Sequence, residues 1–213
     1  LGPNGAGKTT MINIVAGLTR RTSGEVLVFG KDVDRDYRFT RRKIGLVQQE
    51  ISFDPFLSVE ETLKMQAGYF GLRDAGPRID EILKSLSLMD KKKAAGRGLS
   101  GGMKRRVMIA KALVHDPDII FLDEPTAGVD VELRENLWAL VRRMRDMGKT
   151  IILTTHYLEE AEQLAKHVAI VNKGAIVAQG TMDEILATYE ERDHGKYKAG
   201  KLESIFLSLT SKS

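Results

Sequence analysis

Five short segments of the chain have the length and residue types of β-strands. Residues 119–122 form a continuous apolar run, as a strand buried on both faces of a sheet requires. The pattern predicts further buried strands at residues 150–153 and 168–171. Shorter strands are predicted at residues 25–29 and 44–47, the first of them closed by a glycine.

The segments between these predicted strands have the periodicity of α-helices. Apolar side chains recur at three- and four-residue spacing between residues 10 and 18, and again between Leu133 and Met144. Strands that alternate with helices build a mostly parallel sheet, because the helices serve as right-handed crossover connections. The pattern therefore predicts an α/β fold with a mostly parallel sheet core.

One segment departs from this alternation. Residues 58–93 carry helical patterns and few strand signals, which predicts a helical subdomain inserted into the sheet domain. We place this subdomain at residues 58–116. The sheet core then comprises residues 1–57 and 117–180, and a polar tail with a short helical pattern occupies residues 181–213.

The composition is that of a globular protein with a small basic excess: 42% hydrophobic, 29% charged and a formal net charge of +4. Short basic runs at residues 41–43, 91–93 and 104–106 are interpreted as solvated faces, and without interleaved aromatic residues they do not predict a nucleic-acid partner.

The chain has no cysteine, which excludes disulfides and thiolate metal sites. No apolar stretch approaches the roughly 18 residues that a membrane-spanning helix needs.

A glycine-rich loop at residues 2–9 fits the pattern G-x-x-x-x-G-K-[ST] in full. Its glycines let backbone N–H groups curl around phosphate oxygens, and the positive end of the following helix points at the same anion. In such a loop Lys8 reaches the β- and γ-phosphates, and the hydroxyl of Thr9 binds Mg²⁺. The predicted nucleotide-binding residues of this segment are Asn4, Gly5, Ala6, Gly7, Lys8, Thr9 and Thr10.

Two carboxylates follow the predicted strand at residues 119–122. A buried strand delivers Asp123 to the carboxyl edge of the sheet, where open α/β sheets bind their ligands. We expect Asp123 to hold Mg²⁺ through a water molecule and Glu124 to act as general base on the attacking water. Together with the phosphate loop, this pair predicts a P-loop nucleoside triphosphatase, without choosing among kinases, GTPases, helicases and transporters.

A second glycine-rich segment, with Ser100, Gly101 and Gly102, precedes a helical run at residues 104–113. Taken alone, it is a serine N-cap in a glycine-rich loop. It is also a second anion-binding helix end in one chain. Two chains paired head to tail would let each segment close the nucleotide site of the other.

At this segment the chain resembles the ATP-binding cassette (ABC) transporter ATPases. Leu99-Ser100-Gly101-Gly102-Met103 is similar to the family signature L-S-G-G-Q, with Met103 in place of the usual glutamine, and the resemblance covers essentially the whole chain as one domain. It implies that Ser100, Gly101 and Gly102 bind ATP held by a partner cassette. It also implies ATP and Mg²⁺ as ligands, ATP hydrolysis coupled to transport, a separate membrane permease as partner and a cytoplasmic location on the inner face of the membrane. Met at this position is typical of branches that export drugs, lipids, nodulation factors or polysaccharides.

The resemblance gives roles to three further segments. Gln49 matches the glutamine loop, which contacts Mg²⁺ and the attacking water, although its neighbour Gln48 fits if the match is shifted by one residue. His156 matches the switch histidine, which contacts the γ-phosphate. Residues 127–130 resemble the D-loop that crosses the dimer interface, and Asp130 is also predicted to cap the next helix. The predicted catalytic residues are Glu124, His156 and Gln49, and the predicted metal ligands are Thr9, Gln49 and Asp123.

Two expectations concern the surroundings of these motifs. By resemblance, residues 50–61 line the groove that receives a permease helix, but packing of the helical subdomain on the sheet explains their aromatic residues equally well. The chain starts without Met, and Leu1 directly abuts the phosphate loop. We therefore expect that N-terminal strands are missing, and with them the aromatic residue that stacks on adenine in this family.

Two other classes of function remain open at this stage. One is a soluble ABC-type ATPase that acts on ribosomes or DNA, although such proteins usually carry tandem cassettes or long coiled coils. The other is a regulatory ATP-binding module with little turnover, against which Glu124 and His156 argue.

Overall fold

The computed structural model describes residues 1–129, 131–190 and 201–210. These residues form two compact units. The first, which we call the phosphate-loop unit, comprises Leu1–Asn13 and Thr154–Ser213, and the second, the signature unit, comprises Ile14–Leu153. In chain order the elements are α1 Lys8–Val15, β1 Leu27–Val28, β2 Lys31–Asp32, α2 Tyr37–Lys43, β3 Ile44–Val47, α3 Val59–Tyr69, α4 Gly76–Ser85, α5 Gly101–Leu113, β4 Ile119–Asp123, α6 Val131–Asp146, β5 Thr150–Thr154, α7 Leu158–Leu164, β6 His167–Asn172, β7 Ala175–Thr181, α8 Met182–Glu190 and α9 Lys201–Thr210.

The central sheet of the signature unit has the strand order β3-β4-β5. Strands β3 and β4 are parallel, with Ile44 opposite Ile119 and Val47 opposite Leu122. Helix α5 packs so closely on β3 that a Cβ atom at Gly45 would lie 2.5 Å from the carbonyl oxygen of Ala112. The carboxyl ends of β3 and β4 therefore lie side by side at one edge of the sheet.

Strand β5 is where its sequence pattern predicts it, but the prediction of a buried strand is wrong. Exposed and partly buried side chains alternate along it, and Ile152 is 41% exposed. Strand β5 is the last strand in this sheet among the described residues. In β4, by contrast, Ile120 and Leu122 are fully buried.

Helices occupy the segment in which the sequence has few strand signals. Ser58 caps α3 by accepting a hydrogen bond from the backbone N–H of Glu61, whose carboxylate in turn accepts one from the N–H of Ser58. Helix α4 buries one face through Ile79, Ile82 and Leu83, each worth about 1.5–3 kcal/mol of hydrophobic stabilisation. The division of the chain at residues 58 and 116 stays a prediction.

The phosphate-loop unit is built on the antiparallel hairpin β6–β7. Its two-residue turn places Lys173 and Gly174 at positive φ, as a tight turn between right-twisted strands requires. Leu1 extends this hairpin, because its N–H group donates to Ala169 and its carbonyl accepts from Val171, the pattern of a parallel ladder. Side chains of α8 and α9 complete the core over β6, namely Ile185, Leu202 and Ile205. Among the described residues, no helix is long and apolar enough to cross a membrane.

Candidate active site

The phosphate loop of the first unit has a backbone that only glycine allows at several positions. A side chain at Gly2 would overlap the carbonyl oxygen of Val171 in β6. Gly5 and Gly7 have φ angles of 78° and 101°, which lie in the left-handed region. Alternation between right- and left-handed residues turns successive N–H groups toward one concave side, which is the arrangement that binds phosphate oxygens. The loop thus has the backbone form that its sequence predicts.

Lys8 is the first residue of α1 and is only 6% exposed. Its ammonium group donates hydrogen bonds to the carbonyl oxygens of Gly2 at 2.8 Å and Pro3 at 3.1 Å. The positive charge is therefore held against the loop, at the positive end of α1. Asn4, Gly5, Thr9 and Thr10 are exposed, whereas Ala6 is buried. This segment fits the phosphates of a nucleotide.

The carboxyl end of β4 carries the predicted carboxylates in the signature unit. Asp123 is the last residue of the strand and is 3% exposed. Glu124 follows with a φ angle of 46°, a left-handed conformation that costs a non-glycine residue about 1–2 kcal/mol. Such strain persists only where the surrounding contacts hold it, and it is concentrated at functional sites.

The structure brings Gln49 to the same edge of the sheet as these carboxylates. Gln48 and Gln49 directly follow β3, and Asp123 ends the parallel neighbour β4. The side chains of both glutamines are exposed, so the one-residue ambiguity between them stays open.

The role of Arg105 is not indicated by the sequence, because the residue lies in a basic run that is typical of a solvated face. Arg105 is only 5% exposed, and its guanidinium contacts the backbone of both segments at this edge. The neighbouring Arg106 donates to the carbonyls of Leu86 and Ser87. The interpretation of residues 104–106 as solvated is therefore wrong, since both arginines are used to bind backbone carbonyls.

The signature segment forms the start of α5. Ser100 is the N-cap and accepts a hydrogen bond from the backbone N–H of Met103 at 3.3 Å, so the capping interpretation is confirmed. Gly101 and Gly102 begin the helix, and a Cβ atom at Gly101 would have no other atom within 4 Å. The helix end is thus sterically open at Gly101, as an additional role in binding the ATP of a partner chain would require.

His156 lies directly after β5, in the phosphate-loop unit. Its ring is half-buried and packs on the ring of Tyr157, with centroids 4.1 Å apart and planes inclined by 38°. The backbone N–H of Tyr157 donates to the hydroxyl of Thr155, which fixes the turn that carries the histidine. Asp130, the predicted D-loop aspartate and helix cap, lies outside the described residues.

The donor set proposed for a metal ion is small. In the part of the chain that the structure describes, no three or more His, Cys, Asp or Glu side chains cluster in a way that could hold a metal. The predicted ligands Thr9, Gln49 and Asp123 instead offer one hydroxyl, one amide and one carboxylate. Such a set fits Mg²⁺, which proteins usually bind through one or two carboxylates together with the phosphates of the substrate.

Comparison with known families decides the class of protein. The sequence model of the family described as "ABC transporter" matches residues 1–127. The chain belongs to the ABC transporter family. For this domain, the prediction of an ATP-binding and ATP-hydrolysing cassette is thereby confirmed.

Curated relatives of this ABC domain cover nearly all of it. It is 40% identical over 212 residues to a Nod factor export ATP-binding protein I from Cupriavidus metallidurans, covering 99% of this chain and 70% of that protein. It is 41% identical over 189 residues to the daunorubicin resistance ATP-binding protein DrrA3 from Streptomyces coeruleorubidus, covering 88% of this chain and 60% of that protein. The chain therefore spans about two thirds of the length of these relatives.

Solved ABC structures share the fold. A structure described as the ATP-binding subunit of an ABC transporter superimposes with a TM-score of 0.84 at 27% identity, covering 98% of this chain and 85% of that one. A dimeric post-hydrolysis state of an ATP-binding cassette, bound to ADP and Pi, superimposes with a TM-score of 0.74 at 30% identity, covering 85% of this chain and 83% of that one. The predicted fold class, an α/β P-loop domain of the ABC type, is confirmed.

Proposed function

We propose that this ABC domain uses ATP hydrolysis to drive export of a substrate through a separate membrane permease. The observation that carries the proposal is the phosphate loop, in which Gly5 and Gly7 adopt the required left-handed backbone and Lys8 is held at the start of α1. The export direction is supported by the relative whose name states Nod factor export, whereas the name of the other relative states daunorubicin resistance. Met103 in the signature, typical of such branches, agrees with it.

Each part of the reaction is assigned to a segment with suitable chemistry. The loop N–H groups and Lys8 bind the β- and γ-phosphates and neutralise charge that develops on them. Glu124 accepts a proton from the attacking water, and Gln49 orients that water. His156 contacts the γ-phosphate and holds the geometry of attack. These roles are separable because binding depends on the loop, whereas turnover depends on the carboxylate.

Mg²⁺ would be held by the hydroxyl of Thr9, the amide oxygen of Gln49 and, through water, the carboxylate of Asp123. When bound, the ion supplies positive charge to the phosphate oxygens. Burial of Asp123 at the end of β4 suits this role, because a carboxylate removed from bulk water interacts more strongly with a cation.

The complete site is proposed to need a second cassette. Ser100, Gly101 and Gly102 form an open helix end that would bind the γ-phosphate of ATP on the partner. The similarity to a solved dimeric cassette supports this arrangement. Closure of the dimer on ATP and its opening after hydrolysis would then move the permease.

A groove of the signature unit is the proposed docking place for a permease helix. A cavity of about 270 Å³ lies beside the glutamine loop, and Ser52 is the one residue of the predicted groove segment 50–61 in its lining. The rest of the lining includes Arg41, Gln48, Phe70, Lys111 and His115. Burial lowers the pKa of Lys111, because an ammonium group loses hydration there. Lys111 donates a hydrogen bond to the carbonyl oxygen of Ser52 at 2.9 Å, and a helix that presents a carboxylate among apolar residues would suit this basic and partly apolar lining.

The two phenylalanines of residues 50–61 differ with respect to the two interpretations that the sequence left open. Phe53 packs on Gly96, where a Cβ atom would lie 2.5 Å from its ring, so it belongs to the internal packing. Phe56 is 74% exposed and is available to a partner. Docking on a permease would place the protein at the inner face of the membrane, in the cytoplasm.

Phosphate release from ATP by the full-length protein, with and without its permease in vesicles, tests the proposal. Glu124→Gln is expected to bind ATP, to lose nearly all turnover and to accumulate as an ATP-bound dimer in size-exclusion chromatography. The matched control is Glu25→Gln, which makes the same chemical change at an exposed position. Wild-type turnover in Glu124→Gln would refute the role of the carboxylate. Stimulation by ribosomes or DNA instead of the permease would refute the transport function.

A further inference from the structure

The guanidinium group of Arg105 joins two segments that are distant in sequence. Through Nη1 it donates to the carbonyl oxygens of Gln48 at 2.6 Å and Gln49 at 3.0 Å. Through Nη2 it donates to those of Asp123 and Glu124, both at 3.2 Å. Both segments lie at the carboxyl edge of the β3–β4 sheet, and the arginine reaches them from α5.

We propose that Arg105 is a positioning residue for ATP hydrolysis, which couples the signature helix to the backbone of Gln49 and Glu124. The inference rests on the proposed hydrolysis at this site. It assigns to Arg105 no contact with ATP, and it concerns only how the glutamine and the general base are held.

The shape of the guanidinium explains why one side chain serves both segments. Its donors lie in a rigid planar fork, so that Nη1 and Nη2 point to fixed and different places. Hydrogen bonds from a charged donor are also stronger than those between neutral groups. A lysine carries the same charge on a single compact ammonium group and cannot reproduce a contact with both segments.

The strained backbone of Glu124 is the part of the site that depends most on this contact. Glu124 has a φ angle of 46°, an unfavourable conformation for a non-glycine residue that neighbouring contacts help to maintain. Arg105 binds the two successive carbonyls of Asp123 and Glu124, which fixes the peptide units on either side of this φ angle. Without Arg105, the backbone is free to relax and the carboxylate moves from its place. A displacement of about 1 Å at a reacting group lowers catalysis by roughly 100-fold.

The position of Arg105 in α5 gives this contact a second consequence. The same helix begins at the capping residue Ser100 and the open Gly101. Because α5 is continuous from Gly101 to Leu113, a displacement of this helix end would reach Arg105 and, through it, the backbone of Gln49 and Glu124. Engagement of the signature by a partner's ATP would therefore adjust the catalytic edge of the same chain.

The test compares Arg105→Lys with Arg106→Lys in the full-length protein, measuring kcat, ATP affinity and thermal unfolding. Arg106 is the matched control, since it is the next residue of α5 and its bonds go to Leu86 and Ser87. Arg105→Lys is expected to lower kcat by on the order of 10- to 100-fold with ATP affinity nearly unchanged, in a protein that is still folded at the assay temperature. Arg106→Lys is expected to retain wild-type kcat.

A double-mutant cycle separates positioning from a general loss of structure. Adding Arg105→Lys to Glu124→Gln should lower the residual rate no further, because the general base that it positions is already absent. Additive losses, or equal kcat in Arg105→Lys and wild type, would overturn the inference. An Arg105→Lys protein that unfolds at the assay temperature would also overturn it, by showing a structural role. Wild-type protein without any turnover would instead contradict the proposed hydrolysis.

Discussion

Replacing Lys8 separates the contribution of its charge from that of its packing. The side chain is 6% exposed, so its methylene groups are buried in the phosphate-loop unit. Its ammonium group donates to the carbonyls of Gly2 and Pro3, which lie at the start of the loop. Lys8→Ala removes the charge and most of the volume, whereas Lys8→Met removes the charge and keeps nearly all of the volume.

The expected loss of ATP affinity follows from one charge-assisted contact to phosphate. Such contacts contribute about 1.5–3 kcal/mol. Since 1.4 kcal/mol corresponds to tenfold in affinity, both variants should bind ATP roughly 10- to 150-fold more weakly than wild type. Only Lys8→Ala also leaves a cavity, so it should show the larger decrease in the free energy of unfolding.

Isothermal titration with ATP and urea unfolding of the same preparations measure the two effects. Lys166→Ala is a control for the loss of one positive charge, because Lys166 is an exposed lysine of the same unit. An affinity of Lys8→Met equal to that of wild type would refute the phosphate contact. A loss of affinity in Lys8→Ala alone would show that packing of the loop, rather than the charge, accounts for the effect.

Two further substitutions test the signature and the packing of the sheet. Gly101→Asp should leave ATP binding by the monomer intact but abolish hydrolysis and the ATP-dependent dimer, because its carboxylate would face the partner's γ-phosphate. The control Gly101→Ala should be tolerated, because there is open space at this position. If ATP binding and turnover fall together in Gly101→Asp, the signature does not act on a partner. Gly45→Ala would place a methyl group 2.5 Å from the carbonyl oxygen of Ala112 and 2.9 Å from Pro117. Overpacking of this kind typically costs about 1–3 kcal/mol, so the free energy of unfolding measured in urea should decrease by that amount. An unchanged free energy of unfolding would show that β3 and α5 are not packed as closely as described.

Features that depend on neighbouring residues in the chain were determined by the sequence. The phosphate loop at residues 2–9 needs glycines at set positions and a helix directly after it, and both are local properties. Strand β3 occupies the predicted residues 44–47, and β4 extends the predicted 119–122 by Asp123. Both are short apolar segments, whose length is typical of strands rather than helices. The signature resemblance likewise rests on consecutive residues.

Features that depend on residues distant in the chain were decided only by the tertiary structure. Arg105 belongs to a basic run that is typical of a solvated face, yet it is buried because carbonyls 57 and 18 residues away converge on it. The left-handed backbone of Glu124 is not visible in an acidic residue after a strand, because the contacts that hold it come from another element. Exposed and partly buried side chains alternate along β5, and an apolar run in the sequence does not show how much of such a strand is covered. Site chemistry that depends on adjacent residues can thus be predicted from this sequence, whereas the burial of side chains and the strain of the backbone depend on which segments the fold brings together.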